Sequence, residues 1–173
     1  DFDIIKNKDK KVISKGRDIF RYYLEKWEQI AINNPNIFKS NNNNSFKEFN
    51  AAYELLIMEP IKSDNSETIG YGANELLHFF RMVYVIVRFV DSISDEDKQW
   101  YIRILRAQLS EHQLKMLALN CISNYAKQGK DFKARKLYVK YALFQNIHDQ
   151  SFVNQLSDKF IDAAAFKQPI QIK

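Results

Sequence analysis

From Asn74 to Val90 the chain runs through an apolar stretch that contains no glycine and no proline. Leu76, Leu77, Phe80, Val83, Tyr84, Val87 and Val90 recur at the i, i+3, i+4 spacing of one helical face. Phe79, Met82, Val85, Ile86 and Phe89 make the other faces apolar too. A helix apolar all round is normally a buried one. The segment is therefore expected to be the most buried helix of an all-α fold. A buried strand through the β-branched run from Val83 to Val87 is the competing reading. Length and the lack of helix breakers favour the helix. The apolar run from Met82 to Val87 is too short to span a bilayer, and Arg81 and Arg88 bracket it.

His78, Arg81, Val85 and Arg88 fall along one stripe of that helix. A cation on a buried helix must be paired or must reach water. The structural reading makes Arg81 a clamp, held by Glu54, by Asp91 or by free carbonyls at a helix end. The functional reading has Arg81 and His78 facing a pocket for an anionic ligand or a partner.

Downstream, Ser94 is read as an N-cap, with Asp95, Glu96 and Asp97 in the first turn, where the helix dipole favours negative charge. Trp100, Tyr101, Ile104 and Leu105 would be the buried face of this helix. Ser110 and Gln113 form a capping-box pattern that opens the next helix. Leu114, Leu117, Ala118, Cys121, Ile122 and Tyr125 keep helical register along it. Further helices are expected from Phe132 to Gln145 and from Ser151 to Phe166, the latter stopped by Pro169.

Upstream, residues 1–11 are charged and mixed. Val12 to Ile32 reads as an amphipathic helix with Gly16 inside it, at a cost of about 1 kcal/mol relative to Ala. Ser45 and Glu48 suggest a capping box for a helix from Phe46 to about Met58, which Pro60 ends. Residues 33–45 and 60–73 read as loops, the Asn-rich segment from Ser40 to Asn44 as a mobile surface loop, and Asn41 to Asn44 within it as dispensable. The expectation is an all-α chain, residues 1–173 forming one irregular bundle of about seven helices and no convincing strand.

A chain of 173 residues can bury a real core. Four glycines, scattered, cannot make a phosphate-binding loop. Three well-separated histidines give no metal-ligand spacing, so neither a metal nor a cofactor is expected. Cys121, the single cysteine, is read as a small core residue. Lys127, Lys130, Lys133, Arg135, Lys136 and Lys140 stand against Asp131 alone, an excess equal to the +5 net charge of the chain. Such a patch can bind nucleic acid or anionic lipid; a solvated helix face ranks ahead of either. The chain opens on Asp1 and carries no signal peptide or membrane segment, and is read as part of a longer protein.

Several blocks carry a resemblance. They are His78-Phe79-Phe80-Arg81, then Tyr101-x-x-Ile104-Leu105-Arg106-Ala107-Gln108-Leu109-Ser110, then Asn120, then Tyr141-Ala142-Leu143, with Gly16-Arg17-x-x-Phe20 upstream. From about Gly16 to Ile147 the sequence resembles the putative phage abortive infection protein family of bacteria, the AbiC-like group. The block from Ile104 to Ser110 is its specific part. The resemblance implies a role in anti-phage defence. It also implies membrane-spanning segments N-terminal to a soluble part on the cytoplasmic side of the inner membrane.

Three functions follow. The first is a non-enzymatic sensor or effector that binds a phage or host protein, alone or as a homo-oligomer. The second is a ribonuclease, because Arg106-x5-His112 matches the loose Arg-to-His spacing of the all-helical HEPN ribonucleases. There His would be the general base, and Arg would stabilise phosphate charge. Against it, Ser110 reads as an N-cap between the two residues, which separates them onto different helices. Arg106, Gln108, Asn120 and Asn124 are read first as groups that satisfy helix ends. The third is a helical adaptor without a defence role.

Overall fold

The computed structural model describes residues 3–6, 12–15, 18–39, 43–58, 61–62, 68–70, 73–94, 96–127, 132–157 and 159–167. The chain is all-α in class. Among the described residues eight α-helices run in order: α1 (Asp18–Asn33), α2 (Asn36–Lys39), α3 (Asn43–Met58), α4 (Ala73–Ser92), α5 (Lys98–Gln108), α6 (Glu111–Ile122), α7 (Lys133–Lys140) and α8 (Gln150–Ser157). Short 3-10 turns cover Asn124–Ala126 and Ala163–Phe166. Two short antiparallel ladders, absent from the sequence reading, pair β1 (Asp3–Lys6) with β2 (Val12–Lys15) and β3 (Ile61–Lys62) with β4 (Thr68–Gly70). Among the described residues no helix is long and apolar enough to cross a membrane.

The helices fall into two compact units, Asp1–Phe79 and Phe80–Lys173. The first is built on aromatic packing between α1 and α3. Trp27 lies 5.1 Å from Phe49, whose ring stacks on Tyr53 at 6.0 Å. The helix expected from Val12 begins only at Asp18, because Val12–Lys15 is a strand. The loop expected over 33–45 contains α2, whose Ile37 is fully buried. Asn43 and Asn44 belong to the first turn of α3, and Ser45 is buried inside that helix and not at its cap. Asn41 and Asn42 lie outside the described residues. The loop expected over 60–73 carries β3, β4 and the first residue of α4.

The second unit centres on α6. Nine side chains of α6, from Gln113 through Ile122, are buried. The capping box at its start is complete: the Gln113 amide donates to the Ser110 hydroxyl, and the Ser110 amide to the Gln113 side chain. This makes α6, and not α4, the most buried helix. The helix α4 does form, and Leu76, Phe80, Val83, Val87 and Val90 line its inner face. Leu77, Phe79 and Tyr84 are half-buried, and Met82, Val85, Ile86 and Phe89 are exposed. Apolar content measured which residues the helix holds, not how many neighbours the fold supplies to cover them.

The face of α5 is the reverse of the expected one. Ile102 and Arg106 are buried, whereas Trp100, Tyr101 and Ile104 are exposed. The N-cap is Asp97, not Ser94; no acidic residue lies in the first turn, and the Asp97 side chain makes no capping bond. Downstream, α7 stops at Lys140 and does not continue to Gln145. Ala142 takes φ 47°, a left-handed value that no helix interior accommodates. The last expected helix ends at Ser157, and Asp162 caps the 3-10 turn that follows by accepting from the Ala164 amide at 2.8 Å.

Candidate functional site

Arg106, in the specific sequence block, lies in the last turn of α5. Arg106 is only 3% exposed. Its Nη1 donates to the carbonyl of Ala142 at 3.0 Å. Burial, and then the neighbouring Arg103, lower its affinity for the proton. The residue that receives this bond is the one with the left-handed backbone. Arg106 thus grips the corner where the chain turns out of α7, and two of the sequence blocks meet at one hydrogen bond.

A second cluster stands on the same corner. Tyr141 Oη donates to Asp91 Oδ1 at 2.7 Å, and Lys140 Nζ pairs with the same oxygen. Lys98 Nζ donates to the Asp91 backbone carbonyl at 2.9 Å, which ties the start of α5 to the end of α4. The Lys140 and Tyr141 hydrogen bonds hold the Asp91 carboxyl below its ordinary range. Burial, and then the adjacent carboxylate, push the Tyr141 phenol up. Sequence reading offered Asp91 only as a partner for Arg81. The signal it lacked was long-range: Lys140 and Tyr141 lie far along the chain.

A third network joins α6 to α8. Lys115 Nζ sits 2.8 Å from Asp149 Oδ2 and 3.6 Å from Glu111 Oε1. Asp149 also accepts from the Phe152 amide at 3.1 Å, and so caps α8. Glu111 accepts from the amides of His148 and Asp149. Neither half of this network was foreseen: the i, i+4 spacing of Glu111 and Lys115 is a local signal that the sequence carries, whereas Asp149 lies far along the chain.

The remaining candidates divide by burial. Ser110 caps α6, and Asn120 is buried on it, its carbonyl accepting from the amide and hydroxyl of Ser123. Tyr141, Ala142 and Leu143 are buried. His78, Arg81, Tyr101 and Gln108 are exposed. The clamp expected at Arg81 is therefore absent among the described residues: the guanidinium is at the surface and Asp91 is engaged by other groups. Arg106 and His112 lie on different helices, the first buried and the second exposed.

The basic stretch is partly consumed by structure. Arg135 stacks on Phe132 at 4.3 Å and donates to the Phe160 carbonyl at 3.0 Å. Lys127 also approaches Phe132, and Lys140 is paired with Asp91. Lys133 and Lys136 are exposed, and Lys130 lies outside the described residues. Cys121 is fully buried, and desolvation pushes its thiol far up. Among the described residues no group of three His, Cys, Asp or Glu could hold a metal.

The helices α4 to α7, with the four blocks that lie on and between them and just past α7, fall in the part of the chain with a known counterpart. Residues 71–152 match the family described as putative phage abortive infection protein. The match spans just under half the chain and runs from just before α4 into α8. No curated protein matches the chain, and no solved structure does. The abortive infection match contains Arg106, Ala142 and Asp91, so the corner described above lies wholly within it. Gly16 and Arg17, which the resemblance also included, fall outside the match and outside the described residues.

Proposed function

We propose that this chain serves anti-phage defence as a sensor or effector that binds a phage or host protein, without catalysis at Arg106 and His112. One observation carries the reading. The motif residues split into a set that builds the fold and a set that lies at the surface. Arg106, Ser110, Asn120 and Tyr141 are buried or spent on backbone groups and on Asp91. His78, Arg81, Tyr101 and Gln108 are exposed and lie in a family-like pattern. A buried arginine that already grips a carbonyl is poorly placed to stabilise a phosphate, which needs donors aimed at the developing charge. In this reading, attachment to the cytoplasmic side of the inner membrane comes from a segment other than the described helices.

Phage plating tests it. Bacteria expressing the gene should plate phage less efficiently. Arg81→Ala and Tyr101→Ala should lose protection while the protein keeps its melting temperature, and His112→Ala should keep protection. Lost protection in a folded His112→Ala variant, together with RNA cleavage by the purified wild type, would install the ribonuclease reading instead.

A further inference from the structure

On the outward side of α4, Met82, Val85, Ile86 and Phe89 form a stripe at the i, i+3, i+4, i+7 spacing. Val85 is 55% exposed and Phe89 65%. An apolar row of this spacing, about 10 Å long at the helical rise, is what a partner helix packs against. Single exposed apolar residues are ordinary; four in one row are not. The row has a charged border on one flank only. Arg81 and Arg88 stand seven residues apart, both exposed, on the same side. From Leu76 to Ser92 the one acidic residue is Asp91, and it is held by Lys140 and Tyr141.

We propose that the outward face of α4 is the docking site for an acidic amphipathic helix of a partner protein. The inference rests on the binding reading above and names its surface. In heptad terms Met82 and Phe89 take one seam position, Val85 the other, and both arginines the flanking position that sets partner choice. A second copy of this chain fits poorly. In an antiparallel pair the two arginine flanks face each other, and in a parallel pair Arg81 faces apolar Ile86 and Arg88 faces apolar Ile93 just past the helix end. Neither arrangement brings a carboxylate to Arg81 or Arg88. A lipid surface fits less well too, since it rewards a broad apolar face and not one row with a one-sided border. A helix with hydrophobic seam residues and Glu or Asp beside them answers both features. The outward side of α5 repeats the chemistry, with Trp100 and Ile104 exposed beside Arg103.

The test uses the whole chain and two synthetic peptides of roughly three heptads, with Leu at the seam positions and Glu or Lys at both flanks. Fluorescence anisotropy of the labelled peptides should show the Glu peptide bound at least about tenfold tighter than the Lys peptide. Arg81→Glu with Arg88→Glu should invert that order. Val85→Ser with Phe89→Ser should weaken both peptides by about tenfold or more. All four residues are exposed, so the melting temperature should not move. The proposal is overturned by equal binding of both peptides, or by Glu-peptide binding indifferent to the arginine reversal. Binding to phosphatidylglycerol vesicles without peptide binding overturns it in favour of lipid. Sedimentation of a wild-type dimer that Val85→Ser with Phe89→Ser dissociates, without peptide binding, overturns it in favour of self-association. Plating separates the two readings. A wild type that binds the Glu peptide and gives no protection refutes the defence role and leaves the surface. A protecting wild type that binds no peptide refutes the surface alone.

Discussion

Replacing Arg106 should unfold the corner between α5 and α7 before it touches any recognition surface. The guanidinium donates one charge-assisted bond to the Ala142 carbonyl inside the core. A hydrogen bond to a charged group contributes about 1.5–3 kcal/mol net. Burying a stem of this length adds roughly 1.5–3 kcal/mol at the usual area coefficient. Removing a desolvated charge returns part of that sum, because burying it was costly. Arg106→Ala should therefore destabilise the protein by about 2–5 kcal/mol, the range of core truncations. Arg106→Met keeps the stem and should cost less, about 1–3 kcal/mol, the penalty of an unpaired carbonyl. Ala142 carries a further signature. Its left-handed φ stores about 1–2 kcal/mol that glycine would not. Ala142→Gly placed on Arg106→Ala should recover part of the loss. Urea unfolding followed by circular dichroism reads all four proteins. With a slope of about 1–3 kcal/mol per molar, Arg106→Ala should shift the midpoint by about 1 M or more. An unchanged midpoint with lost phage protection would move Arg106 from scaffold to site.

Two further outcomes are expected. Ile102→Ala should cost about 2–5 kcal/mol, while Trp100→Ser should leave the urea midpoint in place, since Ile102 is fully buried and Trp100 is 57% exposed; a larger loss at Trp100 would restore the opposite face. The Lys115 hydrogen bond, and then the Phe152 amide, hold the Asp149 carboxyl below its ordinary value of 3.8. A lowered carboxylate stabilises fully above that value and loses its contribution as pH falls through the folded one. Melting temperature should therefore drop on acidification below about pH 4 in the wild type, and less steeply in Asp149→Asn; identical slopes would remove Asp149 from the acid response.

The helical class was legible because it follows from local information. Periodicity marked α4, and the Ser110–Gln113 pair marked the start of α6 to the residue. What stayed hidden was which side of a helix the fold covers. Trp100 and Ile104 are more hydrophobic than Arg106, yet Arg106 is inside, because a carbonyl 36 residues away in sequence receives it. Helix ends failed for a related reason. Nothing in Tyr141-Ala142-Leu143 looks like a stop, since the left-handed turn is imposed by tertiary bonds on a residue that would otherwise continue α7. The site candidates split the same way: residue type and spacing selected Arg106 and Arg81 alike, and only burial separated a structural arginine from an exposed one.

The turn at Ala142 also fixes an order of events during synthesis. It sends the chain back so that the Phe144 amide reaches the Ala165 carbonyl at 2.9 Å, while Arg135 reaches the carbonyl of Phe160. Both acceptors lie beyond residue 152, where the family match ends. A nascent chain that has emerged only that far holds the Arg135 guanidinium of α7 and the Phe144 amide beyond its end still waiting for their acceptors. The segment shared with the family is thus completed by residues outside it, and its boundary is one of recognisable sequence, not one at which this polypeptide can finish folding.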